Sequence, residues 1–216
     1  MSNVLYVTAH PLNTDTYSLS VGNQFIKTYK KFNPKDVISH LDLYHTDLPQ
    51  IDADILGHWG QPPYGDAFDK LREETKKDVI RMHELIQQFK DSDKIVIVNP
   101  VWNYSFPSVL KAYIDIIINI GETVKRADNG LRGLAGLTGT QQGKKVMHIQ
   151  ASGTVLSHGK FNHVEYSHSY LKAVMNLMGV EDVEAIFVEG MSEKPDQVQH
   201  IKAEAIQKAI LKAEVF

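Results

Sequence analysis

The segment Lys94-Ile95-Val96-Ile97-Val98-Asn99 holds four apolar residues in unbroken succession between polar flanks. A strand with one wet face alternates apolar and polar side chains. An unbroken run of this length instead suits a strand covered on both faces, the usual state of strands in parallel sheets. Four more β-rich runs share the chain with it, at Asn3–Thr8, 36–43, 145–150 and 182–188. Between them lie segments with helical spacing, at 18–29, 68–90, 108–120, 166–178 and 196–213. In 68–90 the apolar positions are Leu71, Val79, Met82, Leu85, Ile86 and Phe89. Pro107 stands at the start of the third segment, Gly179 just past the fourth and Pro195 before the fifth, where helix boundaries favour them.

Strands alternating with helices predict an α/β domain with helices on both faces of a parallel sheet. Right-handed crossovers leave few topologies. Five strands favour the doubly wound order 2-1-3-4-5 over the six-stranded alternative. The 216 residues suit a single domain spanning 1–216. Two connections, 49–67 and 121–143, are too long for simple turns. The first holds Trp59, Pro62, Pro63 and Tyr64, the second the turn signal Asp128-Asn129-Gly130. Long loops with aromatic content are expected to cover a site.

Composition removes several function classes. A net charge of -3 gives no basic excess for nucleic acid. The absence of cysteine excludes disulfides, thiolate metal sites and cysteine nucleophiles. The opening Met1-Ser2-Asn3-Val4-Leu5 runs straight into a strand without the pattern of a signal peptide. The apolar run 114–120 is broken by Asp115 and Asn119, so no membrane partner is expected. The expectation is a soluble, cytoplasmic protein. Gln150-Ala151-Ser152-Gly153-Thr154 lacks the first glycine of a hydrolase elbow. Gly143-Lys144-Lys145 lacks both the first glycine and the hydroxyl of a phosphate-cradling Walker loop. A receiver-like domain would need an aspartate at the end of the third strand, where Asn99-Pro100-Val101 stands. His158, His163 and His168 are five residues apart, a spacing of no familiar metal motif. They read as solvated or capping histidines.

In an open α/β sheet, ligands bind beyond the carboxyl ends of the strands at the switch point, here between strands one and three. The loop Ala9-His10-Pro11-Leu12-Asn13-Thr14-Asp15-Thr16-Tyr17-Ser18 enters the first helix with a cluster of hydroxyls. A helix N-terminus with added hydroxyl donors suits a phosphate, while Thr16 or Ser18 equally suits a plain helix cap. His10 fits either packing or hydrogen bonding. The loop Pro100-Val101-Trp102-Asn103-Tyr104-Ser105-Phe106-Pro107 can flank a flat ring or simply pack. The small residues of Ala151-Ser152-Gly153-Thr154 permit close backbone approach to a ligand.

These residues resemble a known family. The order Ala9-His10-Pro11, Thr16-Tyr17-Ser18, Pro100-Val101-Trp102-Asn103-Tyr104, Leu110-Lys111-Ala112-Tyr113 and Gln150-Ala151-Ser152-Gly153 is similar to the FMN-dependent NADH azoreductases. It is similar, more distantly, to the diaphorase-type quinone reductases. The likeness spans nearly the whole chain. It implies a flavodoxin-like fold, FMN as cofactor, NADH or NADPH as donor, and a homodimer with sites at the subunit interface. It implies that His10, Thr16, Tyr17 and Ser18 hold the ribityl phosphate. Val101, Trp102, Asn103 and Tyr104 would run along the isoalloxazine ring, with the Asn103 backbone near N5. Ala151, Ser152, Gly153 and Thr154 would meet the pyrimidine edge. The implied activity is two-electron, ping-pong hydride transfer to a flat quinone or azo acceptor. A flavodoxin-like electron carrier, or a flavin- or nucleotide-sensing binding protein, is the alternative. The chain departs from many azoreductases in having His10 for serine, Thr16-Tyr17-Ser18 for Ser-Gln-Ser, and Ser152-Gly153-Thr154 for Arg-Gly-Gly. It also has Val124 where an aromatic residue often stands nearby. Lys125, Arg126 and Arg132 are candidates for meeting a 2′-phosphate.

Overall fold

The computed structural model describes residues 1–13, 16–127 and 136–216. Thr14, Arg132 and the Asp128-Asn129-Gly130 turn signal lie outside them. The main sheet consists of β1 (Asn3–Thr8), β2 (Val37–Asp42), β3 (Lys94–Pro100), β6 (Lys145–Ser152) and β7 (Asp182–Glu189). All pairings in it are parallel, in the order β2-β1-β3-β6-β7. Counting only these strands along the chain, this is the expected 2-1-3-4-5. The 121–143 connection adds a second, two-stranded antiparallel sheet of β4 (Val124–Arg126) and β5 (Leu137–Gly139). Strands of three residues are too short for alternation to reveal them.

The helices are α1 (Tyr17–Phe32), α2 (Ala53–Gly57), α3 (Asp66–Asp69), α4 (Glu73–Lys90), α5 (Ser108–Ile117), α6 (Ser167–Leu177) and α7 (Val198–Val215). The expected single helix over 68–90 is therefore interrupted. Its N-cap is Arg72, which is extended (φ -63°, ψ 150°), and Glu73 and Glu74 fill the first turn, where the helix dipole favours acids. The 49–67 connection is not structureless either. Asp52 caps α2 by accepting the Ile55 amide at 2.8 Å. α5 stops at Ile117, short of the expected 120. There the Thr123 hydroxyl donates to the Ile117 carbonyl and accepts the Asn119 amide, satisfying the helix end from outside.

The alternation along each strand divides the core. Leu5, Val7, Ile95, Ile97 and Val146 face α4, α5 and α6, while Val4, Tyr6, Val96, Val98, Met147 and Ile149 face α1 and α7. Each fully buried side chain such as Ile97 or Val98 contributes about 1.5–3 kcal/mol from area removed from water. Gly22 sets how closely α1 approaches the sheet. A β-carbon there would stand 2.7 Å from Val98 Cγ2 and 2.9 Å from Tyr6 Oη. The close contact brings the N-terminus of α1 beside the end of β1. Among the described residues no helix is long and apolar enough to cross a membrane.

Candidate active site

A cleft of about 270 Å³ opens at the carboxyl ends of the strands. His10, Thr16, Tyr17 and Ser18 line one side of it, Pro100, Val101 and Trp102 a second, and Ala151, Ser152 and Gly153 a third. Nine of the twelve expected site residues thus meet in one place, although 141 positions separate His10 from Ala151. Asn103, Tyr104 and Thr154 lie outside the lining. Met191 and Ser192 complete the lining and were not expected. The switch-point rule singles out strands one and three, whereas these two residues follow β7. Backbone hydrogen bonds draw their loop in, from Gly190 N–H to the Ser152 carbonyl (3.1 Å) and from Ser192 N–H to the Gly153 carbonyl (2.8 Å).

At the start of α1, Thr16 is extended and its carbonyl accepts the Ser20 amide at 2.8 Å, but its side chain makes no capping hydrogen bond. The hydroxyl oxygens of Thr16 and Ser18 are both buried with no partner among the described residues. A buried unsatisfied hydroxyl costs about 1–3 kcal/mol. Two of them lining one cleft at a helix N-terminus fit the oxygens of a phosphate, which supplies acceptors and meets the positive end of the helix. The geometry therefore goes against the plain capping reading. Among the described residues the lining contains no lysine, arginine, aspartate or glutamate, so the groups there that could hold an anion are hydroxyls, backbone amides and the helix end.

His10 accepts the Leu12 amide on Nδ1 at 3.0 Å, which leaves Nε2 as the ring's N–H. Its ring stands edge-on to Trp102 at 6.4 Å between centroids. Burial lowers its pKa below the ordinary histidine value, so at neutral pH it offers a hydrogen bond rather than a fixed charge.

The loop after β3 is a tight turn. The Trp102 amide donates to the Ser105 carbonyl at 2.7 Å, and the Ser105 amide returns a bond to the Trp102 carbonyl at 3.0 Å. Asn103 (φ 50°) and Tyr104 (φ 67°) both occupy the left-handed region. Asparagine tolerates that conformation, while tyrosine gives up about 1–2 kcal/mol to adopt it. Strain of this kind persists where surrounding structure imposes it. Here the Val101 amide donates to the Ala151 carbonyl (2.7 Å) and the Tyr166 amide to the Tyr104 carbonyl (3.3 Å). The turn leaves Trp102 and Tyr104 42% and 54% exposed, so apolar ring surface faces solvent beside the cleft. On β6, the Ser152 hydroxyl donates to the Thr154 carbonyl at 2.7 Å, fixing the backbone just past the cleft.

Other expectations resolve differently. Trp59, Pro62, Pro63 and Tyr64 line a separate cavity of about 310 Å³ against Met82 and Ile86 of α4, and no residue of 49–67 lines the first cleft. Val124 is fully buried in the core. His158 and His163 are exposed, as expected, but His168 is half-buried. It stacks on the buried His148 at 5.3 Å, a contact that depends on packing and leaves no trace in the spacing of the three histidines. Among the described residues no cluster of three or more histidines, aspartates or glutamates is placed to hold a metal.

The sequence model of a family described as "Flavodoxin-like fold" matches residues 2–212. An FMN-dependent NADH:quinone oxidoreductase of Geobacillus kaustophilus (strain HTA426) is 45% identical over 210 residues, covering 97% of each chain. FMN-dependent NADH:quinone oxidoreductase 2 of Bacillus subtilis (strain 168) is 44% identical, also over 97% of each. Among solved structures, an azoreductase from Bacillus anthracis str. Sterne superposes with a TM-score of 0.87 at 29% identity, covering 100% of both chains. An FMN-dependent NADH-azoreductase from Bacillus anthracis str. Ames Ancestor, in complex with FMN, superposes with a TM-score of 0.82 at 32% identity, covering 99% of this chain and 100% of that one. The chain belongs to the flavodoxin-like family that includes the FMN-dependent NADH:quinone oxidoreductases.

Proposed function

We propose that the protein is an FMN-dependent oxidoreductase that passes two electrons from NADH to quinones or azo compounds. Its full-length likeness to named NADH:quinone oxidoreductases supports the activity. The observation within the chain that carries the reading is the pair of buried hydroxyls on Thr16 and Ser18 at the head of α1, which have no partner among the described residues. When bound, FMN supplies the hydride chemistry that links the nicotinamide to the acceptor.

The protein's own residues bind and orient. Thr16, Tyr17 and Ser18 hold the phosphate, and His10 adds a neutral hydrogen-bonding edge. Val101, Trp102, Asn103 and Tyr104 form the wall along the ring. The backbone of Ala151, Ser152 and Gly153, with Thr154 just past the cleft, would meet the pyrimidine edge of the cofactor, where amide N–H groups would stabilise negative charge without solvent reorganisation. No side-chain acid or base is required, and among the described residues the lining carries no lysine, arginine, aspartate or glutamate. The exposed rings of Trp102 and Tyr104 suit flat, electron-poor acceptors. Lys125 and Arg126 are exposed and stand as the candidates for accommodating NADPH beside NADH.

The working form is a cytoplasmic homodimer. The exposed aromatic surface of Trp102, Tyr104 and Tyr166 supports an interface near the cleft. The 49–67 segment, which leaves its own cleft uncovered, reaches the partner's site. An obligate monomeric variant that kept full activity would overturn this arrangement.

The deciding experiment is an absorbance spectrum of protein loaded with FMN and desalted, followed by anaerobic NADH. Retained flavin bands that bleach are the expected result. Bands that persist with both NADH and NADPH would make the protein an electron carrier or sensor. No retained flavin would overturn the proposal.

A further inference from the structure

Beneath the cleft, on the face of the sheet covered by α6, runs a chain of buried polar side chains that hydride transfer does not use. Asn99 and His148 are fully buried. The Asn99 amide nitrogen donates to the Pro100 carbonyl at 3.0 Å and to the Ser167 hydroxyl at 3.3 Å. Its amide oxygen is thereby turned toward His148 Nε2, 2.7 Å away. That oxygen can only accept, so His148 carries its proton on Nε2. His148 Nδ1 is then an acceptor, and the ring nitrogen facing it at 3.1 Å, His168 Nδ1, must be the donor. Every bond points the same way, from His168 through His148 and Asn99 to the carbonyl of Pro100, which lines the cleft.

The head of α6 is tied into the same region a second time. Glu165 accepts the His168 amide (2.8 Å) and the amide and hydroxyl of Ser169 (2.9 and 2.8 Å). It also accepts the Gln150 side chain of β6 at 3.1 Å. The Tyr166 amide holds the Tyr104 carbonyl at the tip of the turn. The turn over 101–105 is therefore anchored at its base through Asn99, which bonds Ser167, and at its tip through Tyr166, and Tyr166 and Ser167 both stand at the start of α6. Apolar residues would fill this volume at lower desolvation cost, whereas the hydrogen-bonded run His168–His148–Asn99 specifies one geometry, although Gln150 Oε1 beside it is buried with no partner among the described residues.

We propose that His148, donated to by His168 and acting through Asn99, is a positioning residue that holds the Pro100–Tyr104 wall in the geometry the cofactor needs. This rests on the FMN reading above. His148 touches no reacting atom. It removes the rotational freedom of the Asn99 amide, and with it the freedom of the Pro100 carbonyl and the strained Asn103–Tyr104 turn.

The test compares His148→Phe, which keeps the ring volume and loses both bonds, with His148→Gln, whose amide nitrogen replaces Nε2. His168→Phe and His168→Asn form the matching pair at the accessible end of the chain, where folding is less at risk. The readouts are FMN dissociation constant, midpoint potential of the bound flavin, and melting temperature of the flavin-free protein. Both phenylalanine variants are expected to bind FMN about tenfold more weakly, the scale of one buried hydrogen bond, with a shifted potential. The glutamine and asparagine variants should return to within about threefold of the parent protein. If His148→Phe does not fold, the His168 pair decides. A folded phenylalanine variant with parental affinity and potential would overturn the inference, as would equal loss in the phenylalanine and amide variants. Failure of the parent protein itself to bind FMN would overturn the flavin reading instead.

Discussion

The hydroxyl of Ser192 occupies the space that a side chain on Gly153 would need. A β-carbon at Gly153 would stand 2.3 Å from Ser192 Oγ and 3.1 Å from Ser192 Cβ. The two backbones are also joined, through the Ser192 amide and the Gly153 carbonyl at 2.8 Å. Glycine here is a condition for the loop after β7 to form one side of the cleft. Gly153→Ala should push that loop outward and weaken FMN binding about tenfold, with a stability loss of about 1–3 kcal/mol from overpacking. Pairing it with Ser192→Gly should recover most of both. Isothermal titration with FMN and denaturant unfolding of the two variants measure this, and a double variant no better than the single would refute the steric account.

The Thr16 and Ser18 hydroxyls are buried with no partners among the described residues. If they served only as caps, removing them would destabilise the flavin-free protein by about 1 kcal/mol. Because each instead carries an unmet desolvation cost, Thr16→Val with Ser18→Ala should leave flavin-free stability equal or higher by about 1 kcal/mol. The same variant should lose FMN affinity by about 1.5–3 kcal/mol per charge-assisted hydrogen bond removed. Riboflavin, which lacks the phosphate, should bind parent and variant alike. Parallel titrations with FMN and riboflavin check the contrast.

Tyr113 on α5 is fully buried and its hydroxyl has no partner among the described residues. Burial raises its pKa well above the ordinary tyrosine value, so the ring stays neutral. Tyr113→Phe should raise stability by about 1 kcal/mol, since it removes a polar group that makes no hydrogen bond. FMN affinity should not change, because Tyr113 is not among the residues of the cleft. A measured loss of stability in denaturant unfolding would mean that the hydroxyl has a partner in solution.

Burial, followed by repulsion from His168, holds the pKa of His148 well below the usual value. Burial also lowers His168. The unfolded chain protonates both near the ordinary value of about 6.5. Below that pH the unfolded state binds more protons than the folded one, so stability is complete above about pH 7 and is lost as pH falls through 6.5. His148 alone contributes a slope approaching about 1.4 kcal/mol per pH unit. Unfolding free energies between pH 5 and 8 should show this fall, and His148→Gln should flatten it by close to one proton. Glu165 does not account for it. Burial raises that carboxyl, but the amide and hydroxyl donors around it outweigh the effect and hold it below the ordinary carboxylate range.

Local periodicity and turn chemistry determined much of this protein before any packing was considered. The unbroken apolar run at 95–98 specified a strand buried on both faces. The helical spacing of Val79, Met82, Leu85, Ile86 and Phe89 specified the buried stripe of α4. Because the order of a doubly wound sheet follows from strand number and crossover hand, the meeting of His10, Val101 and Ser152 at one sheet end was legible too. Other features depend on contacts between segments far apart in sequence, which no local pattern encodes. Met191 and Ser192 enter the cleft because their loop hydrogen-bonds to the end of β6. His168 looked like one of three solvated histidines until α6 laid it on His148, 20 residues away. That the hydroxyls of Thr16 and Ser18 are buried with no partner among the described residues, rather than engaged as caps, is likewise decided by the packing around the head of α1. Periodicity is a property of neighbouring residues, whereas desolvation and hydrogen-bond partnership are properties of the assembled core.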